Sequence, residues 1–274
     1  MKKYIIVCII IILLMSACSG QHPSDNSPTV PVPTITVEPT YAPTSTPTPT
    51  LTQPNSNDAF IEFQNPELET KIREILNKPN GAISKREALT ITRLTLYGVE
   101  TYSLKDLVAF KNLEYVSVVS SNVNSLEGIE ELCKLKFICL SENEISDISL
   151  LSSLSSIEIL EVDDNSISDI SMLGSLSYLR ILDISNNSIS NLGALSSLAS
   201  LTDLNIANNN IVDISALSNL TKLSCLELGE NKIEDISPLE NLQLAGIIRF
   251  EQQLYFGGHA RKILPSQRLF YNRV

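Results

Sequence analysis

The sequence predicts an α/β solenoid, in which a short strand and a tight helical return alternate along the chain. A unit of 22 residues recurs seven times between residues 91 and 244, without insertion or deletion. A fixed period in this range is typical of solenoids. Apolar residues alternate at positions 4 and 6 of each unit, which is the period of a strand. Apolar residues also recur at positions 14, 17 and 20, which is the spacing of a 3₁₀ turn or a short helix.

Within each unit, positions 1, 4, 6, 11, 14, 17 and 20 are apolar almost throughout, and we expect them to face inward. In the third unit these residues are Leu135, Ile138, Leu140, Ile145, Ile148, Leu151 and Leu154. Stacking the units would place all strands in one parallel sheet on the concave side of a curved array. The helical returns would then lie on the convex side.

Residues 1–17 predict a secretory signal peptide. Two lysines precede an apolar run from Tyr4 to Met15, which is too short for a comfortable membrane span, and small residues follow it. With the next residue, Cys18, the segment MSAC resembles the lipobox of bacterial lipoproteins. The resemblance implies that Cys18 is lipidated and anchors the protein to the outside of the bacterial cell membrane. An ordinary signal peptide with an incidental cysteine is the alternative.

Residues 18–57 predict a disordered tether that begins at the lipidated cysteine. Nine of the chain's 13 prolines fall there, and serine and threonine fill most of the gaps. Such a composition cannot bury enough apolar surface to fold, and proline favours extended polyproline II. We therefore expect this segment to hold the folded domain away from the membrane.

Residues 58–90 predict a helical cap over the open N-terminal end of the array. Leu68, Ile72, Ile75 and Leu76 follow helical spacing, and Pro66 stands at a tolerated first-turn position. An open solenoid end exposes apolar side chains, so it needs such a cap.

The cap and the units together resemble internalin-like leucine-rich-repeat proteins. The matching residues of the cap are Phe63, Pro66, Glu67, Leu68, Glu69, Ile72, Arg73, Leu76, Asn77, Lys78, Pro79 and Gly81. The resemblance covers about residues 60 to 244 and implies a leucine-rich-repeat array with adhesion to partner proteins through its concave face. Residues 245–274 predict a partial eighth repeat followed by a C-terminal cap or basic tail.

Two polar positions of the unit are predicted to be structural. Asparagine recurs at position 9, where its amide can bond backbone groups that the chain leaves unpaired after the strand. This predicted ladder comprises Asn143, Asn165, Asn187, Asn209 and Asn231. Aspartate recurs at position 13, where a carboxylate can cap the helical return. Asn191 replaces it in one unit.

Positions 3, 5, 7 and 8 vary between units, and we predict that they are free of structural duty. Strand alternation points position 3 outward, so its apolar residues should form a stripe beside a row of carboxylates. The predicted partner-binding residues are Tyr115, Phe137, Ile159, Ile181, Glu142, Glu161, Asp163, Asp164, Asp183 and Glu227. An apolar stripe rimmed by charge is typical of a protein-binding patch. A stripe that only stiffens the sheet and a calcium site among the carboxylates are the alternatives.

Charge and composition argue against several classes of function. Residues 113–244 contain 20 acidic and 5 basic residues, so a nucleic-acid partner is not expected. Neither His22 nor His259 has a partner that the fold would place beside it, and no phosphate loop or metal-ligand spacing is present. We therefore expect no enzyme activity, no cofactor and no metal, although carboxylate pairs leave a glycosidase formally open.

These observations predict a monomeric, lipid-anchored module of the cell surface that binds an unidentified protein through its concave face. A structural envelope or spacer protein without a specific ligand is the alternative.

Overall fold

The computed structural model describes residues 59–240, residue 242 and the backbone of residues 248–249. The predicted signal peptide, Cys18, the tether and most of residues 245–274 lie outside these described residues. The structure therefore tests the cap and the repeats.

The cap contains helix α1 (Pro66–Ile75) and the short helix α2 (Lys85–Ala88). Asn65 caps α1, because its side-chain oxygen accepts hydrogen bonds from the N–H groups of Glu67 and Leu68 at 2.9 and 3.0 Å. Leu68 and Ile72 are buried against the first coil, whereas Ile75 is 47% exposed. Ile75 therefore does not belong to the buried stripe that its spacing predicted, because it lies in the last helical turn on the solvent side.

Eight parallel strands form one open sheet in sequence order. They are β1 (Arg93–Tyr97), β2 (Tyr115–Val119), β3 (Phe137–Cys139), β4 (Ile159–Glu161), β5 (Ile181–Asp183), β6 (Asp203–Asn205), β7 (Cys225–Glu227) and β8 (Ile248–Arg249). Each residue pairs with the residue 22 positions later, as Phe137 pairs with Ile159 and Ile159 with Ile181. The 22-residue period of the sequence therefore sets the register between neighbouring strands.

The return of each coil contains a 3₁₀ helix. These helices are Lys105–Ala109, Ile129–Glu131, Ser149–Ser153, Ser171–Ser175, Gly193–Ser197, Ser215–Leu217 and Ser237–Leu239. Position 17, for example Leu151 or Leu173, is buried in each one. The spacing of three in the sequence therefore corresponds to a 3₁₀ turn, in which residues three apart lie above one another.

The inward-facing positions form one continuous apolar core from the cap to the last described coil. The seven residues predicted to point inward in the third unit are all 1% exposed or less. The prediction of an α/β solenoid is confirmed.

Candidate interaction surface

The position-9 asparagines connect each coil to the one before it. The side-chain oxygen of Asn165 accepts a hydrogen bond from the N–H of Ile145 at 2.9 Å, and its amide donates to the carbonyl of Leu140 at 2.9 Å. Its amide also lies within bonding distance of two carbonyls in its own coil. One side chain thus satisfies backbone groups of two coils.

The same bonds recur at each of the five positions. Asn143, Asn187, Asn209 and Asn231 each accept from the position-11 N–H of the preceding coil and donate to its position-6 carbonyl. Ser121 replaces asparagine in the second coil, where its hydroxyl accepts only a 3.3 Å bond from Val99 of the preceding coil. The connection is therefore weaker at the N-terminal end of the array.

The position-13 carboxylates each accept a hydrogen bond from the first N–H of the following 3₁₀ helix. The donors to Asp147, Asp169, Asp213 and Asp235 are Ser149, Ser171, Ser215 and Ser237, all at 2.8 Å. This backbone bond, helped by the serine hydroxyl, lowers the pKa of Asp147, Asp169 and Asp235. In the coil with Asn191, the amide oxygen accepts the same bond from Gly193.

Position 8 is constrained by the backbone, contrary to the prediction that it is free. Every residue at this position has a positive φ, from 51° at Asn208 to 63° at Gly98. Glycine, asparagine and aspartate adopt this left-handed conformation most readily. Glu142 and Asp164 therefore stand at a structurally required bend, and the glycine at the same position of the first unit was a signal of it.

The outer sheet face, which we define as the side chains of positions 3, 5 and 7, carries an apolar column. The rings of Tyr115 and Phe137 stack at 4.2 Å with 8° between their planes, and the guanidinium of Arg93 lies 4.1 Å from the Tyr115 ring. Ile159 and Ile181 continue the column on β4 and β5. None of these four apolar side chains belongs to the core cluster.

The exposure of this column differs from the sequence-based expectation. Tyr115, Phe137 and Ile159 are only 7%, 7% and 5% exposed, and Ile181 is partly exposed. Side chains at the same position of adjacent strands are only about 4.8 Å apart, so large ones cover one another. Of the predicted apolar contacts, Ile181 is therefore the one that presents accessible surface.

A group of carboxylates lies beside this column. Glu161 on β4 pairs in register with Asp183 on β5, and Asp163 follows Glu161 by two residues. Burial raises the pKa of Glu161 to about 9, with further contributions from Cys139, Asp163 and Asp183. Burial also raises the pKa of Asp163 to about 7, and the charge of Asp183 adds to the shift.

The neighbouring acidic residues extend this group along the turn. Burial, Glu142 and Asp183 raise the pKa of Asp164, and burial raises that of Asp183 against hydrogen bonds from Ser185 and Asn205. Glu142 accepts a 2.5 Å hydrogen bond from the hydroxyl of Ser120. Glu227 lies on β7 and is separated from Asp183 by Asn205 on β6. The structure thus brings the predicted carboxylates together except Glu227.

Across residues 59–240, no three acidic, cysteine or histidine side chains converge as metal ligands do. Two of the cysteines in this part of the chain, Cys133 and Cys225, are free thiols. The described part of the chain also contains no helix with the length and apolar character of a membrane span.

The fold and the repeated asparagine positions are those of a leucine-rich-repeat solenoid. Residues 179–219 and 199–241 match the family model of leucine-rich repeats, in two copies. Internalin C2 of Listeria monocytogenes is 27% identical with a TM-score of 0.57, over 69% of this chain and 94% of that one. The chain is accordingly internalin-like, as its cap and repeats predicted.

A more distant likeness supports the fold alone. A leucine-rich-repeat protein of Leptospira interrogans is 23% identical with a TM-score of 0.55, over 62% of this chain and 45% of that one. Among curated proteins, none matches this chain. The match to leucine-rich repeats and the likeness to internalin C2 support a module for protein recognition.

Proposed function

We propose that the protein is a lipid-anchored module of the bacterial cell surface that binds a partner protein through its outer sheet face. The observation that carries this proposal is the contrast between the two faces of one sheet. The inner face repeats the same aliphatic residues in every coil, whereas the outer face changes from aromatic at β2 and β3 to acidic at β4 and β5. Variation on one face of a repeat array is typical of a binding face.

The carboxylates favour binding over a role as a spacer. A spacer needs only the core and the asparagine ladder, and nothing in that role requires Glu161 beside Asp183. Two carboxyl groups buried beside each other on neighbouring strands destabilise the sheet when they ionise. Ionisable groups that are retained although they destabilise the fold are more frequent at functional sites than elsewhere.

Binding is tested by Ile181→Asp, with Val212→Asp as the matched control. Ile181 lies on the outer sheet face outside the core, and Val212 is 58% exposed away from the strands. Each change replaces one branched aliphatic side chain with a negatively charged carboxylate. We expect the first variant, and not the second, to lose the partner that the parent captures from surface extracts, while both keep the parent's melting temperature within a few degrees.

Equal capture by both variants would contradict binding through the outer sheet face. If the parent itself captures nothing above an unrelated protein of the same charge, the spacer role is correct.

The anchor is tested separately, by Cys18→Ala with Cys8→Ala as the control. In the lipoproteins that the segment MSAC resembles, the lipid is attached to the cysteine that follows the small residues. We expect Cys18→Ala to move the protein from the membrane fraction to the medium, and Cys8→Ala to leave it in the membrane. Retention of Cys18→Ala in the membrane fraction would show that a lipid at this cysteine is not the anchor.

A further inference from the structure

We infer that the outer sheet face binds a cationic segment of its partner protein, with arginine or lysine side chains placed against the partly exposed Asp183 on β5 and Asp164 at the adjoining turn, above the buried Asp163. We call these three residues the central carboxylates. The inference rests on the proposed function and adds to it the chemistry of the partner. It follows from the hydrogen bonds, the electrostatics and the apolar surroundings of the three aspartates.

The central carboxylates receive hydrogen bonds from neutral groups. Asp163 accepts a hydrogen bond from the hydroxyl of Ser141, and Asp164 accepts one from the amide of Asn186 at 3.3 Å. Asp183 accepts bonds from the hydroxyl of Ser185 at 2.6 Å and from the amide of Asn205 at 2.9 Å. These bonds orient the oxygens without neutralising them.

The ion pairs found among the described residues lie elsewhere on the molecule. They join lysines and arginines to Glu69, Glu74, Glu87, Glu114, Glu127, Glu131 and Glu158. None of these seven residues is on the outer sheet face. Across residues 59–240, no cation is paired with a central carboxylate.

The surroundings raise the free energy of the charged forms. The groups that face the central carboxylates are acidic or neutral: Cys139 on β3, Glu161 on β4, Asn205 on β6 and Glu142 at the preceding turn. Burial raises the pKa values of all three aspartates, and the charge of Asp183 adds to the shifts at Asp163 and, with Glu142, at Asp164. A cation placed against them would relieve the repulsion, and part of its binding would appear as the release of protons.

The geometry fits an extended cationic segment better than a single metal ion. Neighbouring strands are spaced by about 4.8 Å, so the carboxylates of β4 and β5 are distributed along the sheet instead of converging on one point. Ile181 stands two residues before Asp183 and is partly exposed. The methylene stem of arginine or lysine can lie on such an apolar side chain while its charged end reaches a carboxylate.

The experiment uses three labelled eight-residue peptides and four variants of the protein. The peptides alternate leucine with arginine, leucine with glutamate, and serine with arginine. Asp164→Asn and Asp183→Asn remove charge from the central carboxylates. Glu144→Gln and Glu234→Gln remove the same charge from exposed residues elsewhere and serve as controls.

We expect the parent and both controls to bind the leucine–arginine peptide, and the two aspartate variants to bind it roughly tenfold more weakly. The serine–arginine peptide should bind more weakly than the leucine–arginine peptide, because it lacks the apolar contact. Affinity should rise from pH 6 to pH 8, as the proton leaves Asp163, whose pKa is about 7. The melting temperature of each variant identifies any loss that comes from unfolding.

Equal binding of the leucine–glutamate peptide, or equal weakening by all four variants, would overturn the inference. So would binding of calcium alone with an affinity that the two aspartate variants lose. These results would leave the proposed function standing, because the Ile181→Asp capture experiment tests it without reference to the partner's charge.

Discussion

Two groups of aspartates in this protein have opposite electrostatics, although they belong to the same repeat array. Asp147, Asp169 and Asp235 lie on the turns before the 3₁₀ helices, where backbone N–H groups lower their pKa values. Asp163 and Asp183 lie beside the outer sheet face, where burial raises theirs. Both groups accept hydrogen bonds, but in the second group burial outweighs the effect of those bonds on the pKa.

We interpret the aspartates of the first group as residues that stabilise the array, and those of the second group as residues that contact a partner. Carboxylates that accept backbone N–H bonds stabilise the folded chain in their ionised form. Buried carboxylates that face one another destabilise it in that form, so stability does not account for their presence. The predictions below test this separation.

The largest loss of stability is expected at an asparagine of the position-9 ladder. Asn187→Ala removes the bonds to Ile167 and Val162 of the preceding coil and leaves buried backbone groups without partners. The free energy of unfolding should fall by roughly 1–3 kcal/mol. Asn210→Ala, at an exposed asparagine, is the control and should change it by less than about 0.5 kcal/mol. Equal denaturation midpoints for the two variants would contradict the scaffold role.

A stabilising change is expected on the outer sheet face. Because the pKa of Glu161 rises from 4.5 to about 9 on folding, the folded state holds its proton where the unfolded state has lost it. This residue therefore lowers the free energy of unfolding progressively as the pH rises from about 4.5 to 9. Glu161→Gln should remove that dependence and stabilise the protein at pH 9 by more than about 1.4 kcal/mol, the equivalent of one pKa unit.

Thermal melts at pH 5 and pH 9 measure this effect. The parent should lose more stability than Glu161→Gln between the two values, whereas Glu144→Gln, at an exposed glutamate, should behave as the parent does. If the melting temperatures of all three proteins fell equally between pH 5 and pH 9, burial of Glu161 would not destabilise the folded protein.

The opposite pH dependence is expected for the turn aspartates. The pKa of Asp147 is lowered, so its contribution is present above its unfolded value of 3.8 and is lost as the pH falls through the folded value. Asp147→Ala should lower the melting temperature at pH 7, and its effect should shrink as the pH falls through the folded-state pKa of Asp147. Asp147→Asn should keep the turn, as Asn191 does in its coil, and differ from the parent in the pH dependence alone. Equal melts for the alanine and asparagine variants at pH 7 would rule out the turn bond.

The smallest effect is expected at position 8, where Glu230 has a φ of 53°. Asparagine tolerates this conformation better than glutamate, so Glu230→Asn should stabilise the protein by less than about 1 kcal/mol. Glu234→Asn makes the same replacement at a residue without a positive φ and should not stabilise it. A larger gain at Glu234 would mean that charge, and not backbone conformation, decides the effect.

Much of the fold could be predicted because each coil repeats the same local rules. The strand and the return follow from apolar periods of two and three, and the register follows from the unbroken step of 22 residues. The error at Ile75 has a local cause, since helical spacing alone does not show where the last turn of α1 leaves the first coil. The error at position 8 arose because Ser120, Glu142 and Glu230 obscure a bend that Gly98, Asn186 and Asn208 indicate at the same position.

The sequence by itself determined the coil, its inward-facing residues and the set of outward positions from which a binding face could be built. Only the tertiary structure decided that Tyr115, Phe137 and Ile159 cover one another while Ile181 stays accessible, and that Glu161 and Asp163 are buried deeply enough to raise their pKa values. The physical reason is that periodicity specifies the direction of a side chain, whereas burial and pKa depend on what the neighbouring coils place about 4.8 Å away.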